Sequence, residues 1–169
     1  TEFKKYIPLL DENKKADTYI GIMSIMPDIQ DDTGDATIKI SAMTFSDDAK
    51  WIYPEPKTIE EFKWHDIGTE SATNLSAACD ELSRFLCKRE NGGKMPDLGG
   101  VAPIILLMTD GHPTKFPMKE ETEALKKLPW YKVALKYGIA IELKDERTHK
   151  VLQEFVNLIL RLKERRIRY

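Results

Sequence analysis

The clearest structural signal in this sequence is a run of five apolar residues, Ile104 to Met108, followed at once by Thr109, Asp110 and Gly111. A short, uninterrupted apolar run is typical of a strand that is buried on both faces of a parallel sheet. The Asp-Gly pair has two interpretations. It can simply turn the chain, or its carboxylate can belong to a ligand site, because α/β sheets bind ligands beyond the carboxyl ends of their parallel strands.

Strand and helix patterns alternate along the rest of the chain, in the order β-α-β-β-α-β-α-β-α. This order predicts one α/β domain over residues 1–169, a three-layer, doubly wound and mostly parallel sheet with one antiparallel edge strand. The second element is a helix with a kink at Pro27, and the last is a basic closing helix at about 147–166 whose apolar side packs on the sheet. Strands are predicted at 6–11, 36–45, 50–56, 101–110 and 131–143, and helices at 16–30, 75–86, 118–128 and 147–166.

Composition and charge limit the partners and the compartment. The net charge of −2 gives the chain no overall field that would attract nucleic acid or an anionic membrane, and no apolar run approaches the ~20 residues of a membrane span. Cys79 and Cys87 lie about 12 Å apart along a helix at 1.5 Å per residue, too far for a disulfide. Free thiols indicate a reducing compartment, the cytoplasm.

Oxygen-bearing side chains are expected at one edge of the predicted sheet. Asp11 ends the first predicted strand and Asp110 ends the fourth. Carboxylates and hydroxyls without converging His or Cys suit a hard cation such as Mg²⁺ or Ca²⁺. Taken singly, Thr73 is explained as well by helix capping and Asp110 by a turn. The loop before the helix at 75–86 supplies Thr69, Ser71, Thr73 and Asn74.

Four segments resemble, in order, parts of the von Willebrand factor A domain. They are "ISAMTFSDDAKW", "GTESATNLSAACDEL", "LLMTDGHPT" and "YGIAIELKDERTHKVLQEFV", and the resemblance runs from about Ile7 to Val156. It is closest to the bacterial intracellular branch associated with tellurite resistance. The resemblance implies a Rossmann-like sheet with a metal-ion-dependent adhesion site, where a partner's carboxylate completes the coordination of Mg²⁺. Thr73 matches the metal-contacting threonine of the family, and Asp110 matches its acid after the fourth strand.

The first-strand motif departs from the family pattern. The family has Asp-x-Ser-x-Ser, whereas here Asp11 is followed by Asn13 and Lys15 at the serine positions. An Asn carbonyl can ligate a hard ion, but a Lys ammonium has no acceptor and repels a cation. Two explanations stay open. Either the site is degenerate and binds no metal, or the sequence omits a loop between Asp11 and Asp17 that carries the serines.

These observations predict a cytoplasmic, non-enzymatic protein-binding module. The resemblance implies Mg²⁺, with Ca²⁺ or Mn²⁺ as alternatives, bound by Asp110, Thr73, Asp11 and Asn13. It also implies an acidic protein partner and a role in tellurite or metal stress. One alternative is a metal-dependent hydrolase or phosphoryl-transfer enzyme that uses Asp11 and Asp110. Another is a scaffold with a degenerate site, which Lys15 favours. The partner-contacting rim is predicted at Ser71, Asn74 and His112.

Overall fold

A six-stranded mixed sheet organises the part of the chain that the computed structural model describes, namely residues 22–28, 37–64, 74–109, 119–141, 146–156 and 158–162. Its strands lie in the order β5-β2-β1-β6-β7-β8. A separate two-stranded sheet consists of β3 and β4. The class is therefore mixed α/β, as the sequence predicts. The strands are β1 (Ile22–Asp28), β2 (Thr37–Ser41), β3 (Met43–Phe45), β4 (Ala49–Trp51), β5 (Lys57–Thr58), β6 (Ile104–Thr109), β7 (Leu135–Ile141) and β8 (Leu158–Leu162).

The expectation of a mostly parallel sheet with a single antiparallel edge strand is wrong for the described strands. β1 lies in the centre of the sheet and runs antiparallel to both of its neighbours, β2 and β6. β5 is antiparallel to β2, while β6, β7 and β8 are parallel. Connection length accounts for the antiparallel pairing of β1 with β2. Eight residues separate Asp28 from Thr37, and a parallel crossover needs a dozen or more.

The predicted helix at 16–30 is also wrong where the structure describes it, because residues 22–28 form β1. The apolar positions fit helical spacing, but a strand in the centre of a sheet also tolerates apolar residues on both faces, so periodicity alone does not separate the two. Pro27 would be expected to exclude a central strand. Pro27 lies beyond the ladder to β6, which covers only Ile22 to Ile25, and pairs on one side alone, with Ile38 of β2.

Four α-helices lie in the described ranges beside the sheet, and the first two of them match the predicted helices at 75–86 and 118–128 closely. They are α1 (Leu75–Phe85), α2 (Lys119–Lys127), α3 (Pro129–Val133) and α4 (Glu146–Phe155). The closing helix, predicted to continue to 166, instead ends at Phe155, and β8 follows. The run Leu158 to Leu160 is apolar at every position, which fits a parallel strand as well as a helix face.

The core lies between the helices and one face of β6. Ile105 and Leu107 on that face are fully buried, whereas Ile104, Leu106 and Met108 on the other face are half-buried. Each helix contributes to the cluster around the buried face, so the four helices help to hold the parallel half of the sheet through apolar burial. The helical members of the cluster are Leu75, Ala78, Cys79, Leu82 and Phe85 of α1, Leu125 of α2, Tyr131 of α3, and Leu152 and Phe155 of α4.

Candidate functional site

Most of the predicted site lies outside the described residues. Asn74 is described, and it is the N-cap residue of α1, directly before Leu75. The assignments of the other six residues as metal ligands or partner contacts stay predictions. These six are Asp11, Asn13, Ser71, Thr73, Asp110 and His112.

The sheet edge that would carry the site is described by its backbone. Thr109 of β6 pairs in register with Ala140 of β7, and Ala140 pairs with Arg161 of β8. The three parallel strands therefore end level with one another, each within one residue of this row. Their carboxyl ends share one edge, where a ligand of an α/β sheet is expected, and Asp110 is the next residue in the chain after Thr109.

Asn74 joins the start of α1 to the turn between β3 and β4. Its backbone N–H donates to the carbonyl oxygen of Ser46 at 2.7 Å, and its Nδ2 donates to the carbonyl oxygen of Asp47 at 3.0 Å. Its Oδ1 accepts from the backbone N–H of Ala77 at 3.2 Å, which is the helix N-cap bond. Asn74, predicted as a partner-contacting residue of the rim, thus has a structural role: it caps α1 and binds it to the turn at 46–48.

The turn to which Asn74 is bound lies beyond the same end of the sheet. β2 and β6 run in the same direction, because β1 is antiparallel to both. Ser24 of β1 pairs with Ser41 of β2 on one side and with Ile105 of β6 on the other. Ser41 and Ile105 therefore lie at the same height along the sheet. From Ser41 the chain continues through β3 into the turn at 46–48, and from Ile105 it continues to the carboxyl end of β6.

Two exposed carboxylates occupy that turn, at Asp47 and Asp48. The sequence indicated only a turn here, and the bond from Asn74 to Asp47 joins residues 27 positions apart, so no local pattern could reveal it. The turn brings negative charge close to the beginning of α1. This charge would favour a cation at the rim and disfavour an anion.

The two cysteines are free, as predicted, and Cys79 is fully buried in the core. Burial, together with the negative charges of Glu121 and Asp80, raises the pKa of the Cys79 thiol far above its usual range. A thiol that keeps its proton is a poor nucleophile and a poor metal ligand.

The described residues contain neither a cluster of metal ligands nor a helix that could span a membrane. Within 22–28, 37–64, 74–109, 119–141, 146–156 and 158–162, no group of three or more His, Cys, Asp or Glu residues is placed to hold a metal ion. Over the same ranges, no helix has the length and apolar character to cross a membrane. No protein-family model, curated protein or solved structure matches this chain.

Proposed function

We propose that this protein is a non-enzymatic binding module similar to the von Willebrand factor A domain, which docks an acidic side chain of a protein partner through a divalent cation. The cation, Mg²⁺ by preference, would be held at the carboxyl edge of β6, β7 and β8 by Asp110 and Thr73. Hard oxygen ligands suit this ion, and a partner carboxylate would complete its coordination.

The shared carboxyl edge of the three parallel strands is the observation that carries the proposal. The sequence places Asp110 one residue beyond β6 and Thr73 one residue before Asn74. Asn74 is bound to a turn that lies beyond the same end of the sheet. These placements support the proposal that the carboxylate of Asp110 and the hydroxyl of Thr73 would bind one cation in a crevice at this edge.

Mg²⁺ titration of the full chain, followed by calorimetry, tests the proposal. Saturable binding is expected for the natural sequence, with a loss of at least about ten-fold in affinity for Asp110→Ala. Asp80→Ala removes an exposed carboxylate from the middle of α1 and serves as the matched control. It should bind Mg²⁺ as the natural sequence does.

Acetate, as a surrogate for the partner's acid, tests the docking step. If a carboxylate completes the coordination of the ion, acetate raises the affinity for Mg²⁺, and by linkage Mg²⁺ raises the affinity for acetate by the same factor. EDTA should abolish the acetate binding. Mg²⁺ binding that is absent, or that is unchanged in Asp110→Ala, would remove the metal-dependent mechanism.

A further inference from the structure

Lys136 occupies a position at which the fold would favour an apolar side chain. It pairs in register with Ile105 of β6, so the two side chains lie side by side on the core-facing side of the sheet. Ile105 is fully buried, and Lys136 is only 8% exposed. Removing an ammonium group from water is expensive unless other groups compensate for the lost hydration.

The contacts of the Lys136 ammonium are to neutral groups. Its Nζ donates to the carbonyl oxygens of Tyr131 at 2.7 Å and Ala134 at 2.9 Å, and it lies 4.6 Å from the centre of the Tyr131 ring. No carboxylate among the described residues forms an ion pair with it. Burial accordingly lowers the pKa of Lys136. A bound anion would oppose that shift, because it stabilises the charged form.

Lys136 is one of the residues that line a groove of about 380 Å³. Lys126, from the end of α2, and Lys132, from α3, also line the groove, and both are exposed. Among the described residues Glu154 of α4 is the single carboxylate in the lining, while Glu123, which does not line the groove, pairs with the Lys126 ammonium at 3.3 Å. Three ammonium groups against one carboxylate leave a formal charge of +2. This volume lies within the range that holds a small ligand.

We propose that the groove binds a small dianion, with carboxylate or phosphate oxygens, between Lys126, Lys132 and Lys136. The formal charge of the lining matches a dianion, which would compete with Glu123 for Lys126, and lysines from α2, α3 and β7 contribute point charges. The ligand supplies Lys136 with the counter-charge that the described residues lack. Its source is a dicarboxylate or a phosphate, which share this chemistry.

The groove is separate from the rim assigned to the cation. Lys136 is the second residue of β7, which places it at the amino end of the parallel strands, whereas the proposed cation site lies beyond their carboxyl ends. Lys132 belongs to α3, which ends two residues before β7 begins, and Glu154 is next to Phe155, whose carbonyl oxygen accepts a hydrogen bond from Tyr131 of α3. The two sites can therefore be tested independently.

Titration of the full chain with succinate and with inorganic phosphate, at constant ionic strength, tests the proposal by calorimetry. Saturable binding of at least one dianion is expected, and tighter binding than for acetate. The double variant Lys126→Gln/Lys132→Gln should weaken binding by about ten-fold. Both of these lysines are exposed, so this variant is expected to fold. The tighter of the two dianions identifies the source.

Lys127→Gln/Lys150→Gln is the matched control, since it removes the same charge from two exposed lysines that do not line the groove. It should bind the dianion as the natural sequence does. Lys136→Gln should abolish binding, but it also removes the hydrogen bonds to the carbonyl oxygens of Tyr131 and Ala134. The variant Lys126→Gln/Lys132→Gln therefore decides the outcome. The proposal fails if neither dianion saturates, or if the two double variants lose affinity equally.

Discussion

At the scale of single residues, Asn74 donates two hydrogen bonds to the turn at 46–48 and caps α1 by accepting a third from Ala77. Replacing it with alanine removes the N-cap acceptor and the side-chain donor together. We expect Asn74→Ala to lower the free energy of unfolding by about 1 to 2 kcal/mol. Asn74→Ser keeps a capping oxygen, loses the donor to Asp47 and adds no charge, so it should cost less. Urea unfolding of the three proteins measures both differences, and equal stabilities would show that the tether contributes nothing.

Gly93 is a second residue whose environment dictates its identity. A Cβ atom there would lie 1.9 Å from the carbonyl oxygen of Cys87, a backbone atom that cannot rotate away. We expect Gly93→Ala to lower the free energy of unfolding by more than about 2 kcal/mol, as overpacking does. Gly99 has a positive φ of 68° but open space around it, so Gly99→Ala should cost about 1 kcal/mol. Thermal unfolding that ranks the two variants in the opposite order would contradict this prediction.

At the scale of elements, Trp51 and Phe85 join the small sheet to α1. Their rings stack with centroids 4.5 Å apart, and Trp51 packs from β4 against the core that contains Phe85. A double-mutant cycle with Trp51→Leu and Phe85→Leu should give a coupling of about 1 kcal/mol, typical of an aromatic pair. Phe62 and Trp64, whose rings meet edge to face at 5.1 Å outside this core, provide a comparison pair. Additive losses for Trp51 and Phe85 would mean that the stacking itself does not stabilise the contact.

The elements that the sequence predicts well are those with a one-sided pattern or a clear boundary. α1 combines buried Ala78, Cys79 and Leu82 with exposed Asp80, so its position was predicted closely, although its N-cap is Asn74 and the sequence indicated capping only for Thr73. β1 and β8 are apolar on both faces, and an apolar run without polar alternation fits a strand and a helix equally. Only their pairing with neighbouring strands separates the two, and pairing is not local.

At the scale of the whole molecule, connection length accounts for the directions of three strand pairs. The segments from β6 to β7 and from β7 to β8 contain helices and give parallel pairs, whereas the short link from β1 to β2 gives an antiparallel pair. The edge proposed to hold the cation belongs to this parallel half, in which the sequence predicted β6 and β7 as strands but residues 158–162 as part of the closing helix. The bond from Asn74 to Asp47 and the buried ammonium of Lys136 were not predictable, because both depend on residues brought together by the fold.

The pH dependence of stability is also a property of the whole molecule, because it sums all buried titrating groups. Burial raises the pKa of Cys79 and of Tyr131 far above their usual values of 9.0 and 10.0. Both keep their protons in the folded state, and the unfolded chain releases them above these values. The contribution of these two groups to the free energy of unfolding is therefore fully present well below pH 9. It is lost as the pH rises, by up to about 1.4 kcal/mol per pH unit for each group. Lys136 acts in the opposite direction, because its lowered pKa makes stability rise with pH as the pH approaches 10.5.

Cys79→Ala isolates one of these contributions. The variant leaves a small cavity and should be less stable than the natural sequence at every pH. Its free energy of unfolding should nevertheless fall less steeply between pH 9 and pH 10, because the thiol that only the unfolded chain deprotonates is gone. Urea unfolding at pH 7, 8, 9 and 10 gives the slope for each protein. Ser76→Ala removes a buried hydroxyl that does not titrate from the same helix, so it is the control and should keep the slope of the natural sequence. Parallel curves for Cys79→Ala and the natural sequence would show that burial of Cys79 does not hold its proton in the folded state.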